Sequence, residues 1–537
     1  MNKLLLIPAA LAACCAAAPP AMTVYTVHDL ARVRPADAPG AARSVVVKAA
    51  RNEYAPFQIV VRAGGAGLRG VTASAGDLGG KSGRISAANI TLYREHYVEV
   101  RTPSPKSKEG AGWYPDALIP FLDPATGRSP VKSRFSAAPF DVAADSNQPL
   151  WVDVWVPKGA TPGEYHGFVT ITAGVLKPVK VPVALTVWDF TLPDTPTMRT
   201  HFGGYENDPL NSTPGSSQTL ERQYAAAVSA HRLCAPVPRF LRPHVREDGS
   251  TDPPDTAALR QWISQYRITG FPIPLLGKDP AGADRERNIR YLRAMYEYLR
   301  ENGWEKLAYV YALDEPNTAT AYDEVRKRAR FIHETQPGLK VLCTEQPDPQ
   351  DAAWGNLFGS VDIWVPLWPL WKDDAVAERL AAGDEVWSYT ALCQGRDKPT
   401  PFWQLDFPAL NYRIPMWTSF RYGATGLLYW QTLVWRSTND VWTDPLSFRK
   451  QYNLEGALFY PGADAGVQGF VSSIRLKQLR EGLEDYEYFK LLAGRDSEAA
   501  LNLVKSVARS WFDWDQNPTR LYAVREQAAV QIAGRKR

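Results

Sequence analysis

Tyr309-Val310-Tyr311-Ala312-Leu313-Asp314-Glu315-Pro316 is a short β-prone apolar run that ends in two adjacent carboxylates. Bounded by a turn signal, it reads as a buried strand running into a loop. The pattern repeats on either side. Apolar runs at 200–204, 233–238, 271–276, 307–313, 340–344, 361–365, 385–390 and 426–430 lie roughly 32 residues apart, the length of a strand–helix unit. Amphipathic segments separate them. The segment 288–302 places Ile289, Leu292, Met295, Tyr296 and Leu299 on one stripe, and 322–335 and 375–382 behave alike. Gly303 and Gly338 stand where helices should stop. Eight alternating units favour a (β/α)8 TIM barrel over an open sheet, with chemistry at the C-terminal ends of its strands.

Upstream, residues 22–195 change character. Short alternating or β-branched runs, such as 57–62, 150–156, 165–172 and 179–187, are divided by Pro, Gly and Asp clusters. This predicts an antiparallel β-sandwich domain over 22–195. Trp151, Asp153 and Trp155 share one face of a strand and Val152, Val154 and Val156 the other, so both faces are expected to be covered, one of them by the next domain. Leu192-Pro193-Asp194-Thr195-Pro196 reads as the linker to a barrel domain over 196–495. Residues 470–495 form its closing helix, whose charged positions suit a salt-bridged structural face. A helical tail is expected over 496–537, around 500–512 and 520–532.

Composition removes several function classes. A net charge of +4, from 61 basic and 57 acidic residues, gives no electrostatic case for nucleic acid. Seven His and five Cys at no ligand spacing predict neither metal nor cofactor. Residues 1–21 read as a secretory signal: one Lys, an apolar run from Leu4 to Ala13, then Cys14-Cys15 and an Ala/Pro stretch. Leu11-Ala12-Ala13-Cys14 resembles a bacterial lipobox, which would lipidate Cys14 and make the lipid the protein's one contact with a membrane. The expected location is the periplasm or cell surface. Cys234, Cys343 and Cys393 remain in the body, an odd number that cannot form a complete disulfide framework.

Two neighbouring carboxylates at a strand end are costly unless they have partners or work. A helix N-terminus is the structural alternative, since acidic residues before a Pro-initiated helix are favourable. Pro316 also biases Glu315 towards an extended backbone. Most glycosidases set two carboxylates ~5–9.5 Å apart, on opposite sides of the scissile bond. Adjacent residues suit a substrate that brings its own nucleophile. In a 2-acetamido sugar the acetamido oxygen attacks C1, Asp314 orients the acetamido N–H, and Glu315 serves as general acid and then base. Other strand ends contribute candidate substrate-binding groups: His201 and Tyr205, Arg239, Glu345, Trp387 and Tyr389, and Trp430. Tyr389 is a candidate donor to the acetamido oxygen. Glu345 is the candidate nucleophile of a conventional retaining mechanism.

Asp314-Glu315-Pro316 after an apolar strand resembles the catalytic pair of glycoside hydrolase family 123. So do Val386-Trp387-Ser388-Tyr389, Tyr412-Arg413-Ile414, Gly426-Leu427-Leu428-Tyr429-Trp430, Arg480-Glu481-Gly482 and Glu484-Asp485-Tyr486-Glu487-Tyr488. Arg51-Asn52-Glu53 and Leu150-Trp151-Val152-Asp153-Val154 extend the similarity into the front half, so that it covers about 22–495. The resemblance implies a β-sandwich followed by a (β/α)8 barrel, and an exo-acting β-N-acetylgalactosaminidase working by substrate assistance on a glycan. Asp314 would then orient the acetamido group and Glu315 act as acid/base. Two other readings stay open: a conventional retaining glycosidase on another sugar, and a non-catalytic surface protein that binds glycans.

Overall fold

The computed structural model describes residues 21–81, 83–203, 217–435 and 438–534. The proposed signal with Cys14, and Tyr205, lie outside the described residues. Strands in the first third form two sheets. The five-stranded sheet runs, in spatial order, Met22–Val27, Glu53–Ala63, Asn147–Val156, Ile90–Val100 and Gly112–Pro120, antiparallel throughout. The main path of the second sheet is Val45–Arg51, Val179–Thr191, Gly163–Ala173, Leu68–Ala75 and Phe140–Val142. Its first two strands run parallel, an exception to the all-antiparallel expectation. Inward residues of both sheets, among them Phe57, Ile59, Val152, Val169, Ile171 and Leu185, share one core.

Period-2 alternation sends the other face of the five-stranded sheet away from that core. Trp151 on this face packs against Tyr93, Leu118 and Ile474, and its indole N–H donates to Asp153 at 2.8 Å. The covering element is the helix Ile474–Ala493, capped by the Ser473 hydroxyl, which accepts the Leu476 N–H at 3.1 Å. This helix is buried nearly all round although it carries Arg475, Lys477, Arg480, Glu481, Glu484 and Asp485. Each cation meets an acid. Arg475 pairs with Asp116 at 2.9 Å, and Lys477 and Arg480 with Asp153 at 2.8 and 2.9 Å. On the far side Asp485 holds Arg413 and Arg525, both at 2.6 Å. The charged face is structural, as its sequence suggested. Helices Ser497–Lys505 and Pro518–Ile532 pack behind it, while the expected helix up to 512 gives way to a hairpin of Ala508–Ser510 and Asp513–Trp514.

The second large assembly is a curled parallel sheet. Its spatial order is Arg199–Phe202, Gly426–Tyr429, Glu385–Thr390, Ile363–Trp364, Lys340–Cys343, Ala308–Leu313 and Phe271–Pro272. Among the described residues these are seven of the eight expected strands, and the sheet is an open half-barrel with helices outside it. The missing one is 233–238. Pro236 and Pro238 lack the N–H groups a central strand must donate, and Arg232 just before it has a φ of +59°. The segment is anchored by side chains: the Cys234 N–H donates to Thr200 Oγ1 at 2.7 Å, and the Thr269 N–H to Cys234 Sγ at 3.3 Å.

The concave side carries Tyr309, Leu342, Ile363, Val365, Trp387, Tyr389 and Leu428. Arg199 closes its N-terminal end, donating to the carbonyls of Thr269 and Leu307 at 3.0 and 3.1 Å and pairing with Glu385 at 3.4 Å. No helix among the described residues is long and apolar enough to cross a membrane. Removing one partner of a fully buried ion pair strands the other, at a cost of ~3–5 kcal/mol. Asp116→Leu or Arg475→Met alone should therefore lower unfolding stability by about that much, and the double variant should recover most of it in urea titrations.

Candidate active site

The strand Ala308–Leu313 does not keep its pleat to the end. Tyr311 pairs with Leu342 and Leu313 with Cys343, so Ala312 is an extra residue in the ladder. The Ala312 carbonyl, released from the sheet, accepts from Arg328 Nη1 at 2.9 Å, and Arg328 is held by Glu324 one turn away at 2.6 Å. Strict alternation would put residues 311 and 314 on opposite faces. The bulge inverts the alternation, and the Tyr311 hydroxyl donates to Asp314 Oδ1 at 2.7 Å.

Four hydroxyl contacts then fix the acidic pair. Thr344 Oγ1 donates to Asp314 Oδ1 at 2.9 Å and accepts the Glu315 N–H at 2.9 Å. Tyr311 Oη lies 3.0 Å from Thr344 Oγ1. The Tyr389 hydroxyl donates to Glu315 Oε1 at 2.7 Å. Burial and the facing carboxylates push both phenols well above their ordinary range, so each stays a donor. Glu315 has a φ of +44°, a left-handed backbone in place of the extended one that Pro316 favours. Such a residue stores ~1–3 kcal/mol and persists only where its surroundings over-determine it. Here the Thr344 and Tyr389 bonds, and the Asn317 side-chain amide donating to the Glu315 carbonyl at 2.9 Å, do so.

Both carboxylates are open to solvent. Among the described residues, Asp314 Oδ2 and Glu315 Oε2 make no hydrogen bond, so each side chain is pinned by one oxygen and presents the other. Asp314 lines a cavity of ≈ 690 Å³, together with Tyr309, Tyr311 and His201. One wall of it is apolar, with Val237, Phe271, Ile273, Leu275, Leu276 and Met295. His201 Nδ1 lies 2.5 Å from the Tyr309 hydroxyl.

The other expected site residues divide. Glu345 sits behind the pair but is only 2% exposed. Its Oε1 accepts the Tyr322 hydroxyl at 2.9 Å and the Gln346 side-chain amide. It is a buried carboxyl, not a nucleophile facing the cavity. Trp387 corrects the expectation of a sugar-facing wall. It is fully buried at the closed end of the sheet, with its indole N–H on Glu385 at 2.8 Å and Arg199 5.2 Å from its ring. A Cβ at Gly426 would fall 2.3 Å from that ring, so glycine is required beside it. Arg239 pairs with Glu221 at 3.0 Å, away from the acidic pair's hydrogen bonds. Trp430 is half-buried against Phe448 and donates to the buried Glu455 at 2.8 Å. Sequence reading missed Tyr311, Thr344 and Arg328. Tyr311 and Thr344 lay in or beside the strand runs, but nothing in a single sequence marks a bulge. No group of three or more His, Cys, Asp or Glu among the described residues is arranged to hold a metal ion.

Residues 283–492 match the model of the glycoside hydrolase 123 catalytic domain, and residues 29–173 that of the glycoside hydrolase 123 N-terminal domain. Among solved structures the chain is similar to a family 123 glycoside hydrolase from Clostridium perfringens, described for glycolipid glycan hydrolysis. The TM-score is 0.66 at 15% identity, covering 96% of this chain and 97% of that one, which shows a common fold. A β-D-glucuronidase from Dictyoglomus thermophilum (TM-score 0.31, 9% identity, covering 82% of this chain and 68% of that one) is too distant to carry an argument. The same holds for a family 5 xyloglucanase from Bacteroides ovatus (TM-score 0.29, 9% identity, 86% and 100%). No curated protein matches the sequence.

Burial pushes the Glu345 carboxyl from 4.5 up to about 7; the Tyr322 and Gln346 bonds oppose the shift and the nearby Glu315 charge adds to it. A carboxyl raised on folding adds stability that is full below its unfolded value and is lost as pH rises through the folded one. Glu345→Gln should therefore remove a decline on the order of 2–3 kcal/mol between pH 4.5 and 8. Urea unfolding at both pH values measures it. An equal decline in variant and parent would refute the assignment.

Proposed function

Since the chain belongs to glycoside hydrolase family 123 and is a glycoside hydrolase, we propose that it removes a terminal β-linked N-acetylgalactosamine, or another 2-acetamido sugar, by substrate assistance. The observation that carries the reading is the way the acidic pair is held. Asp314 and Glu315 are each pinned through one oxygen and each offer the other at the open end of the sheet. The acetamido carbonyl oxygen attacks C1 while the C1–O bond to the leaving group breaks. Glu315 gives its proton to the departing oxygen. Asp314 accepts the acetamido N–H and offsets the positive charge that develops on the oxazolinium ring. Glu315, now a carboxylate, takes a proton from water; the water oxygen attacks C1 from the face the leaving group left, and the ring opens with net retention.

Glu345 favours this reading over a conventional retaining mechanism, because its carboxyl is 2% exposed, is bonded to Tyr322 and Gln346, and does not line the cavity that Asp314 lines. The apolar wall of the cavity suits an apolar aglycone, in keeping with a sugar carried on a lipid. The fold reading that goes with the proposal is a (β/α)8 barrel whose second stave, 233–238, is held by side chains; the Cys234 bonds to Thr200 and Thr269 support it. Export and a lipid on Cys14 belong to the same proposal, on the strength of residues 1–21, and labelling of the parent but not Cys14→Ala with a radioactive fatty acid tests them.

The enzymatic test is hydrolysis of aryl β-N-acetylgalactosaminide by residues 22–537. Asp314→Asn and Glu315→Gln should each lower kcat on the order of 10²–10⁴-fold. The aryl β-galactoside, which lacks the acetamido group, should be a far poorer substrate. Equal cleavage of the two sugars would exclude substrate assistance. A trapped 2-fluoroglycosyl adduct would establish the conventional mechanism.

A further inference from the structure

We propose that Thr344 is a positioning residue that sets the catalytic geometry of both acids through a single hydroxyl. The proposal rests on the role just assigned to Asp314 and Glu315. Thr344 follows the strand Lys340–Cys343 and is 2% exposed. A hydroxyl has one proton and two lone pairs. The proton of Thr344 goes to Asp314 Oδ1, one lone pair takes the Glu315 N–H, and the other faces the Tyr311 hydroxyl. Its one proton and one acceptor position are thus spent on the neighbouring strand end, one on each acid.

What it holds there does not hold itself. The Ala308–Leu313 strand has already bulged at Ala312, and Glu315 sits at φ +44°. Without the hydroxyl, the Glu315 N–H loses its acceptor at a strained position, and Asp314 keeps only Tyr311 as a donor. Both free oxygens, Asp314 Oδ2 and Glu315 Oε2, then lose their fixed direction together. The chemical step is sensitive to this because misplacement by about 1 Å in a reacting constellation costs on the order of 10²-fold in rate. Ground-state binding, spread over the rest of the cavity, is affected much less.

A packing role and a positioning role make opposite predictions. Thr344→Val keeps the shape and loses the hydroxyl; Thr344→Ser keeps the hydroxyl and loses a methyl. Positioning predicts that Thr344→Val lowers kcat on aryl β-N-acetylgalactosaminide on the order of 10²-fold, with KM nearly unchanged and thermal unfolding close to the parent. Affinity for a thiazoline mimic of the cyclic intermediate should fall with kcat, while affinity for N-acetylgalactosamine itself should not. Thr344→Ser should restore kcat to near the parent. A crystal structure of Thr344→Val should show Glu315 out of the left-handed region or the Tyr311–Asp314 bond lengthened. If Thr344→Val does not fold, Thr344→Ala removes the same hydroxyl. Thr344→Val with parental kcat, Thr344→Ser as damaged as Thr344→Val, or an unmoved acidic pair in the crystal would overturn the proposal. Inert substitutions at Asp314 and Glu315 would instead overturn the reading beneath it. If the parent prefers another aryl glycoside, the same comparison is made on that substrate, and the crystallographic outcome does not depend on the sugar.

Discussion

The ion pairs around the helix Ile474–Ala493 hold the protein together. A charge taken out of water costs several kcal/mol unless an opposite charge and further hydrogen bonds meet it. This helix buries at least six charged side chains, and their partners come from every direction. Asp116 and Asp153 reach it from the five-stranded sheet. Arg413 reaches it from the end of the half-barrel, and Arg525 from the last helix. Neither face of the helix can be exposed without stranding charges on the other. The two sheet systems are therefore not independent bodies joined by a linker. Even the linker is tied in, since Arg232 donates to the Pro193 carbonyl at 3.0 Å and Asn52 to the Leu192 carbonyl at 2.9 Å.

The helix is also tied to the curled sheet that carries the acidic pair. The Tyr486 hydroxyl of the helix donates to the Ala424 carbonyl at 3.1 Å, just before the strand Gly426–Tyr429, and Glu487 accepts the Thr197 N–H at 2.7 Å, just before Arg199–Phe202. Arg199 then plugs the closed end against Trp387, Tyr309 and Glu385. With its N-terminal end filled in this way, the half-barrel exposes the acidic pair at the other end. There the polar residues Tyr311, Thr344 and Tyr389 face the acidic pair. Most of the tryptophan surface goes into the core and the closed end, Trp387 included. Trp151, Trp364, Trp368, Trp387, Trp403, Trp417, Trp442 and Trp511 are all fully buried.

Much of this was legible in the sequence because periodicity and spacing are local. Alternation at 150–156 placed valines on one face and Trp151 and Asp153 on the other, and the two faces do meet different partners. Seven of eight strand runs were found from apolar content and spacing. The eighth failed because two prolines removed donors from a segment whose apolar content still looked like a strand. Asp314 and Glu315 stood out because two acids after an apolar run are chemically conspicuous. Trp387 misled for the converse reason: an aromatic near a strand end looks the same from the sequence whether it faces the cavity or the plug.

The amino-acid order by itself determined the two sheet systems, the closing helix and the place of the two acids at the end of the fourth apolar run, since each follows from patterns a few residues long. It also carried enough motif to mark the family resemblance. Which way the acids point was decided only in three dimensions. One extra residue in the ladder, captured by Arg328 from the following helix, turns Asp314 towards Tyr311, and a hydroxyl from the next strand holds Glu315 in a backbone that its own neighbour Pro316 disfavours. Those two contacts, and the Tyr389 bond to Glu315, join residues 16, 29 and 74 positions apart, and no local preference in the chain encodes them.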